Sequence, residues 1–173
     1  MRRLAIAALL IAVTGLSACT RPDRFGGADG TDGTLPGGGV TDPSLLGAAG
    51  DPASPAYFSQ VVGDRVLFAV DQSTQTPQAM ATLDGQAQWL LTNASYLAVI
   101  EGHADEQGTR EYNVALGARR ANAVREYLIS RGVPESRLRT ISYGKERPIA
   151  TCSDESCYAQ NRRAVTVISA GSV

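Results

Sequence analysis

The chain has 173 residues, 43% of them hydrophobic, with 16 basic and 17 acidic side chains. That balance excludes the overall positive field by which proteins hold nucleic acid through counterion release. The longest unbroken apolar run, residues 4–13, would span about 15 Å as a helix, half of a hydrocarbon core roughly 30 Å thick, which excludes it as a transmembrane anchor.

Met1-Arg2-Arg3 supplies a positive start, residues 4–13 an apolar stretch, and residues 14–18 a run of small side chains, which is the layout of an export signal. Leu16-Ser17-Ala18-Cys19 resembles the lipobox of bacterial lipoproteins, in which cleavage before the cysteine leaves a lipid-modified Cys19 as the new N-terminus. The plainer alternative is an ordinary signal peptide that happens to contain a cysteine. Several acyl chains on one residue, each CH₂ worth about 0.8 kcal/mol, exceed what stable anchoring needs. Thr20 in place of an aspartate after the cysteine resembles the signal for outer-membrane sorting. Loss of residues 1–18 removes Arg2 and Arg3 and no acid, leaving 14 basic and 17 acidic side chains.

Residues 20–55 hold nine of the 18 glycines and five of the eight prolines but one aromatic, Phe25. Such a stretch cannot bury enough apolar surface to offset the entropy of ordering it. We expect a tether over 19–55, Cys19 included, with an r.m.s. reach of roughly 30–36 Å, followed by one folded domain over 56–173.

Within that domain, Val66-Leu67-Phe68-Ala69-Val70, Leu97-Ala98-Val99-Ile100 and Ala164-Val165-Thr166-Val167-Ile168 read as buried strands. Thr76-Pro77 starts a helix with Met80, Leu83, Ala87 and Leu90 on its buried face. A second helix runs from Thr109 to Arg131, with Gly132 in the left-handed stop position and Pro134 preventing continuation. Residues 139–143 form a more exposed strand. The order predicts an α/β sandwich, a mixed sheet with crossover helices packed on it.

In the second helix Leu116, Val124 and Leu128 lie at i, i+8 and i+12, and the position missing from the stripe is Arg120. A guanidinium aimed at the packed side costs several kcal/mol of desolvation unless it is paired or partly wet. The nearest candidate acid is Asp105, in the loop that leaves the central strand where α/β folds place ligands. Two readings follow. One is a plain ion pair fixing loop to helix; the other is a receptor for a free amino-acid centre, with carboxylate on guanidinium and ammonium on carboxylate.

Residues 101–121, Glu101-Gly102-His103-Ala104-Asp105-Glu106-Gln107-Gly108-Thr109-Arg110-Glu111-Tyr112-Asn113 and onward through Arg119-Arg120-Ala121, resemble the central signature of OmpA-like peptidoglycan-binding domains. Ile141-Ser142-Tyr143-Gly144-Lys145-Glu146-Arg147-Pro148 and Asn161-Arg162-Arg163-Ala164-Val165 extend the match. The resemblance implies a βαβαβ-β domain that holds the meso-diaminopimelate of peptidoglycan peptide stems. In it Asp105 would take the ammonium and Arg120 the carboxylate, Asn113 would add an amide hydrogen bond, and Asp71 and Arg162 would line the pocket. The chain departs from the commonest pattern at Gln107 and at Ala69-Val70. Lipoprotein members of the family also bind the β-propeller protein TolB of the Tol complex, which implies TolB as a second partner. The alternative is a wall-anchoring accessory of another envelope complex without TolB.

No cofactor is implied. A metal site at His103, Asp105 and Glu106 lacks a second histidine or paired cysteines. A hydrolase would need a nucleophile with its base or two dedicated carboxylates, and the sequence supplies neither pattern, so we read a binding protein and not an enzyme. Cys152 and Cys157 flank four residues in an exported chain and are expected to form a disulfide, the alternative being two free thiols.

Overall fold

The structure is a computed structural model that describes residues 50–171. The expected leader, Cys19 and the tether as far as residue 49 lie outside the described residues.

A single helical turn, α1 (Pro55–Tyr57), capped by the Ser54 hydroxyl, runs into a π-helical segment Phe58–Gly63. There follow β1 (Arg65–Leu67), α2 (Pro77–Thr92), β2 (Tyr96–His103) and α3 (Arg110–Ser130). A 3-10 turn, Glu135–Arg137, leads into β3 (Leu138–Gly144), and α4 (Glu155–Asn161) precedes β4 (Arg163–Ala170). The sheet order is β1-β4-β2-β3, with β2 and β3 parallel and β4 antiparallel to both of its neighbours. The parallel pair is joined through α3, as a parallel connection requires.

The two long helices form where their ends predict. Thr76 and Thr109 accept from the amides of Ala79 and Tyr112, and Gly132 stops α3 with φ +96°. Three expectations change. Met80 is exposed, because the buried face of α2 runs through Ala79, Leu83, Gln86, Ala87 and Leu90. The first strand ends at Leu67 and not at residue 70: after Phe68 N donates to Arg162 O, the chain turns away, closed by Gln72 N donating to Ala69 O. Helix α4 is an element that the predicted order does not contain. Asp154 caps it through Ser156 N and Cys157 N, but seven residues are too few to show a helical period.

The core fills the space between the sheet and α2 and α3, with Leu83, Leu90, Ile100, Val124 and Leu128 at its centre. Trp89 lies between Phe58 and Tyr96, and its Nε1 donates to Pro52 O at 2.7 Å, so ordered contacts begin ahead of residue 56. Helix α3 meets β2 backbone to backbone. A Cβ added to Gly102 would lie 1.9 Å from the Gly117 carbonyl oxygen, and one added to Gly117 would lie 2.4 Å from Ser142 Oγ. That closeness sets Arg120, three residues beyond Gly117, against the carboxyl end of β2.

Candidate functional site

Arg120 occupies the gap in the apolar stripe of α3 and is fully buried. Its Nε donates to Gln72 O at 2.8 Å, Nη1 to His103 O at 2.8 Å and Nη2 to Ala69 O at 3.1 Å. Its guanidinium also lies 5.2 Å from the centre of the Phe68 ring. The early end of β1 now has a reason, since the turn that leaves the sheet turns two carbonyls toward this charge. Burial lowers the Arg120 pKa to about 10; Asp105, then Asp71 and Tyr112, oppose the shift, and Arg162 adds to it. The group stays a cation at neutral pH.

The direct bridge from Asp105 to Arg120 that the sequence offers is not made. Asp105, 8% exposed, accepts from Arg162 Nη1 at 3.1 Å and from Gln107 N at 3.3 Å. Arg162 reaches Asp105 because β4 inserts next to β2 and starts beside the end of that strand. Its Nε donates to Phe68 O, and both of its terminal nitrogens donate to the Glu155 carboxylate. Glu155 raises the Arg162 pKa, and Arg162 holds the Glu155 carboxyl below the usual carboxylate range.

Asp71 is exposed, takes φ +55° as the only non-glycine residue in that region among the described residues, and accepts from Tyr112 OH at 3.2 Å. A non-glycine residue held in the left-handed region stores local strain, a common mark of functional turns. Asn113 is buried, and its Nδ2 donates to Gln107 O at 2.6 Å and so pins the loop. Lys145 Nζ, donating to Gly108 O at 2.7 Å, and Asn161 Nδ2, donating to Glu106 at 2.6 Å, fasten the same loop from the other side. The structure therefore gathers Asp71, Asp105, Arg120 and Arg162 at one end of the sheet, with Asn113 hydrogen-bonded to the loop beside them. Glu155 and Tyr112 were missed. The signal for Glu155 was the Asp154 cap, which places it two helical turns before Arg162.

His103 is buried at the end of β2. Both ring nitrogens are buried without a hydrogen bond, 3.7 Å from Glu101 at the nearest, with Tyr143 stacked at 5.6 Å. Its carbonyl is what serves Arg120. Burial first, then the charges of Arg163 and Arg147, lower its pKa from 6.5 to about 4. The unfolded chain therefore takes up this proton first as pH falls. The stability His103 contributes is complete above pH 6.5 and is lost on descent to about 4. Urea midpoints are expected to drop more steeply between about pH 7 and about pH 4.5 in the wild type than in His103→Gln; parallel pH profiles would refute this.

Cys152 and Cys157 form a disulfide with Cα atoms 5.6 Å apart. With Asp154 they make up the three-residue group of metal-ligating side-chain types among the described residues, and sulfurs joined in a disulfide offer no thiolate to a metal.

A mixed sheet with two crossover helices on one face, and a charged recess at the carboxyl end of its central strand, defines an OmpA-like α/β domain. Residues 67–162 match the OmpA family model, and the chain belongs to the OmpA family, among its peptidoglycan-associated lipoproteins. It is 61% identical over 124 residues to the peptidoglycan-associated lipoprotein of Rhizobium meliloti, covering 71% of this chain and 70% of that one. The crystal structure of the peptidoglycan-associated lipoprotein from Burkholderia pseudomallei is similar at TM-score 0.62 and 40% identity, covering 70% of this chain and 98% of that one. The C-terminal domain of Helicobacter pylori MotB shares the fold alone, at TM-score 0.58 and 22% identity, over 63% of this chain and 86% of that one.

Proposed function

We propose that this envelope lipoprotein, which anchors at peptidoglycan and is not an enzyme, does so by holding the free amino-acid end of diaminopimelate in the recess of Asp105, Arg120, Asp71 and Arg162. The observation that carries the reading is the nearly buried Asp105, in contact with Arg162 and within the electrostatic reach of Arg120, beside the strained Asp71 turn. The ammonium goes to Asp105. A guanidinium has five N–H donors, and three of those on Arg120 serve backbone carbonyls. One N–H on each terminal nitrogen of Arg120 is left without a protein partner, and the ligand's carboxylate is shared between that edge, buried in the empty state, and Arg162. Asn113 contributes by holding the loop in place.

Lipid on Cys19 would fix the other end of the chain in the outer membrane, and the tether would span the gap between membrane and wall. Because the wall contact is non-covalent, attachment can shift as the wall grows. We further propose TolB as a second partner over an overlapping surface, as part of the Tol system in envelope integrity and division; co-purification with TolB, reduced by added peptidoglycan fragments, is the check.

The Asp105→Ala variant is expected to lose at least about 30-fold in affinity for purified sacculi, since removing one member of a buried charged contact costs about 2–5 kcal/mol. Pull-down at wild-type level would refute the site.

A further inference from the structure

Arg162 binds two carboxylates whose surroundings differ. Its side chain and that of Asp105 are 6% and 11% exposed, whereas Glu155 is 69% exposed. The contact with Asp105 is sealed in, and the contact with Glu155 faces water. Glu155 uses both oxygens on the two terminal nitrogens of Arg162, the geometry in which a guanidinium takes any carboxylate. Water-facing ion pairs are weak and easily exchanged.

Two further features make Glu155 a placed residue. It lies inside the ring closed by Cys152 and Cys157, and it is the first residue of α4, directly after the Asp154 cap. Both hold its backbone where the side chain meets Arg162. Arg162 and Arg120 also repel each other, as the downward pull of Arg162 on the Arg120 pKa shows. A carboxylate arriving between them relieves that repulsion.

We propose that Glu155 is a built-in stand-in for the ligand's carboxylate: it occupies Arg162 while the recess is empty, and an arriving carboxylate must displace it. The proposal rests on the diaminopimelate reading of the recess. Glu155 then sets the affinity from outside the contact with ligand, and the disulfide ring acts as the strap that keeps it in position. A prop for Arg162 would have the opposite sign, because its loss would weaken binding.

The experiment is calorimetric titration of the full-length protein with the peptide L-Ala-γ-D-Glu-meso-diaminopimelate. Glu155→Gln is expected to bind about three- to tenfold tighter than wild type. Arg162→Gln is expected to bind more weakly than wild type, and adding Glu155→Gln to it should change nothing. Replacing Cys152 and Cys157 together by serine should shift affinity toward that of Glu155→Gln, with no further gain in the Glu155→Gln background. Equal or weaker binding by Glu155→Gln overturns the proposal, as does an undiminished gain without Arg162. Absence of wild-type binding, or full binding by Asp105→Ala, overturns instead the reading of the recess on which it rests.

Discussion

Replacing Gly102 by alanine is expected to cost the domain about 3 kcal/mol or more. The new Cβ would lie 1.9 Å from Gly117 O and 2.6 Å from Gly117 C. Both are backbone atoms, so no rotamer change relieves the overlap; α3 must lift away from β2. That movement opens the core at Ile100 and Ala121 and withdraws Arg120 from His103 O. Against a total stability of about 5–15 kcal/mol, that loss raises the unfolded population by about two orders of magnitude. Thermal and urea unfolding measure it. Gly85→Ala, where the Cβ would meet Val62 Cγ1 at an ordinary 3.5 Å within α2, serves as the control and is expected to gain up to about 1 kcal/mol. Equal melting of Gly102→Ala and wild type would refute the close approach.

Removing the Arg120 guanidinium is expected to damage stability and wall binding together. In Arg120→Met the carbonyls of Ala69, Gln72 and His103 lose their donor. Only His103 O is a buried acceptor left unmade, at about 1–3 kcal/mol, because Ala69 O keeps Gln72 N and Gln72 O lies in an exposed turn; partly offset as the buried charge disappears, a net loss of about 1–2 kcal/mol is expected. Arg120→Lys separates the two roles. It restores the charge, but one ammonium cannot reach three carbonyls presented by two different segments, so most of the stability loss should remain. Urea denaturation and sacculus pull-down on the same samples test this. A variant that keeps wild-type stability while losing only binding would show that the carbonyl contacts carry no weight.

The sequence made the helices and the odd arginine legible because both follow from local rules. Thr76, Thr109 and Gly132 are end signals that need no partner, and a basic residue in an apolar stripe is visible at helical spacing. The partner of Asp105 was not legible. Arg162 lies 57 positions away in sequence and reaches Asp105 only because β4 enters between β1 and β2. The carbonyl cradle of Arg120 was hidden for another reason: backbone oxygens leave no trace in composition, and the apolar run 66–70 concealed where the strand stops. Asn113 was placed on the right helix face, yet its amide was taken by Gln107 O, a loop contact that periodicity does not encode. Glu155 went unseen because α4 is two turns long.

The position of β4 has a temporal consequence. It is the last strand among the described residues and one of the two inner strands of the sheet, and it is the strand with which β1 pairs. Until residues 163–170 have emerged, β1 has no edge to join, β2 lacks one of its two neighbours, and Arg162 is absent from the recess. Long-range pairing of this kind delays folding until the distant segments meet. A chain released from the ribosome before residue 170 therefore carries neither a closed sheet nor a complete recess, and a formed recess certifies that synthesis has passed β4.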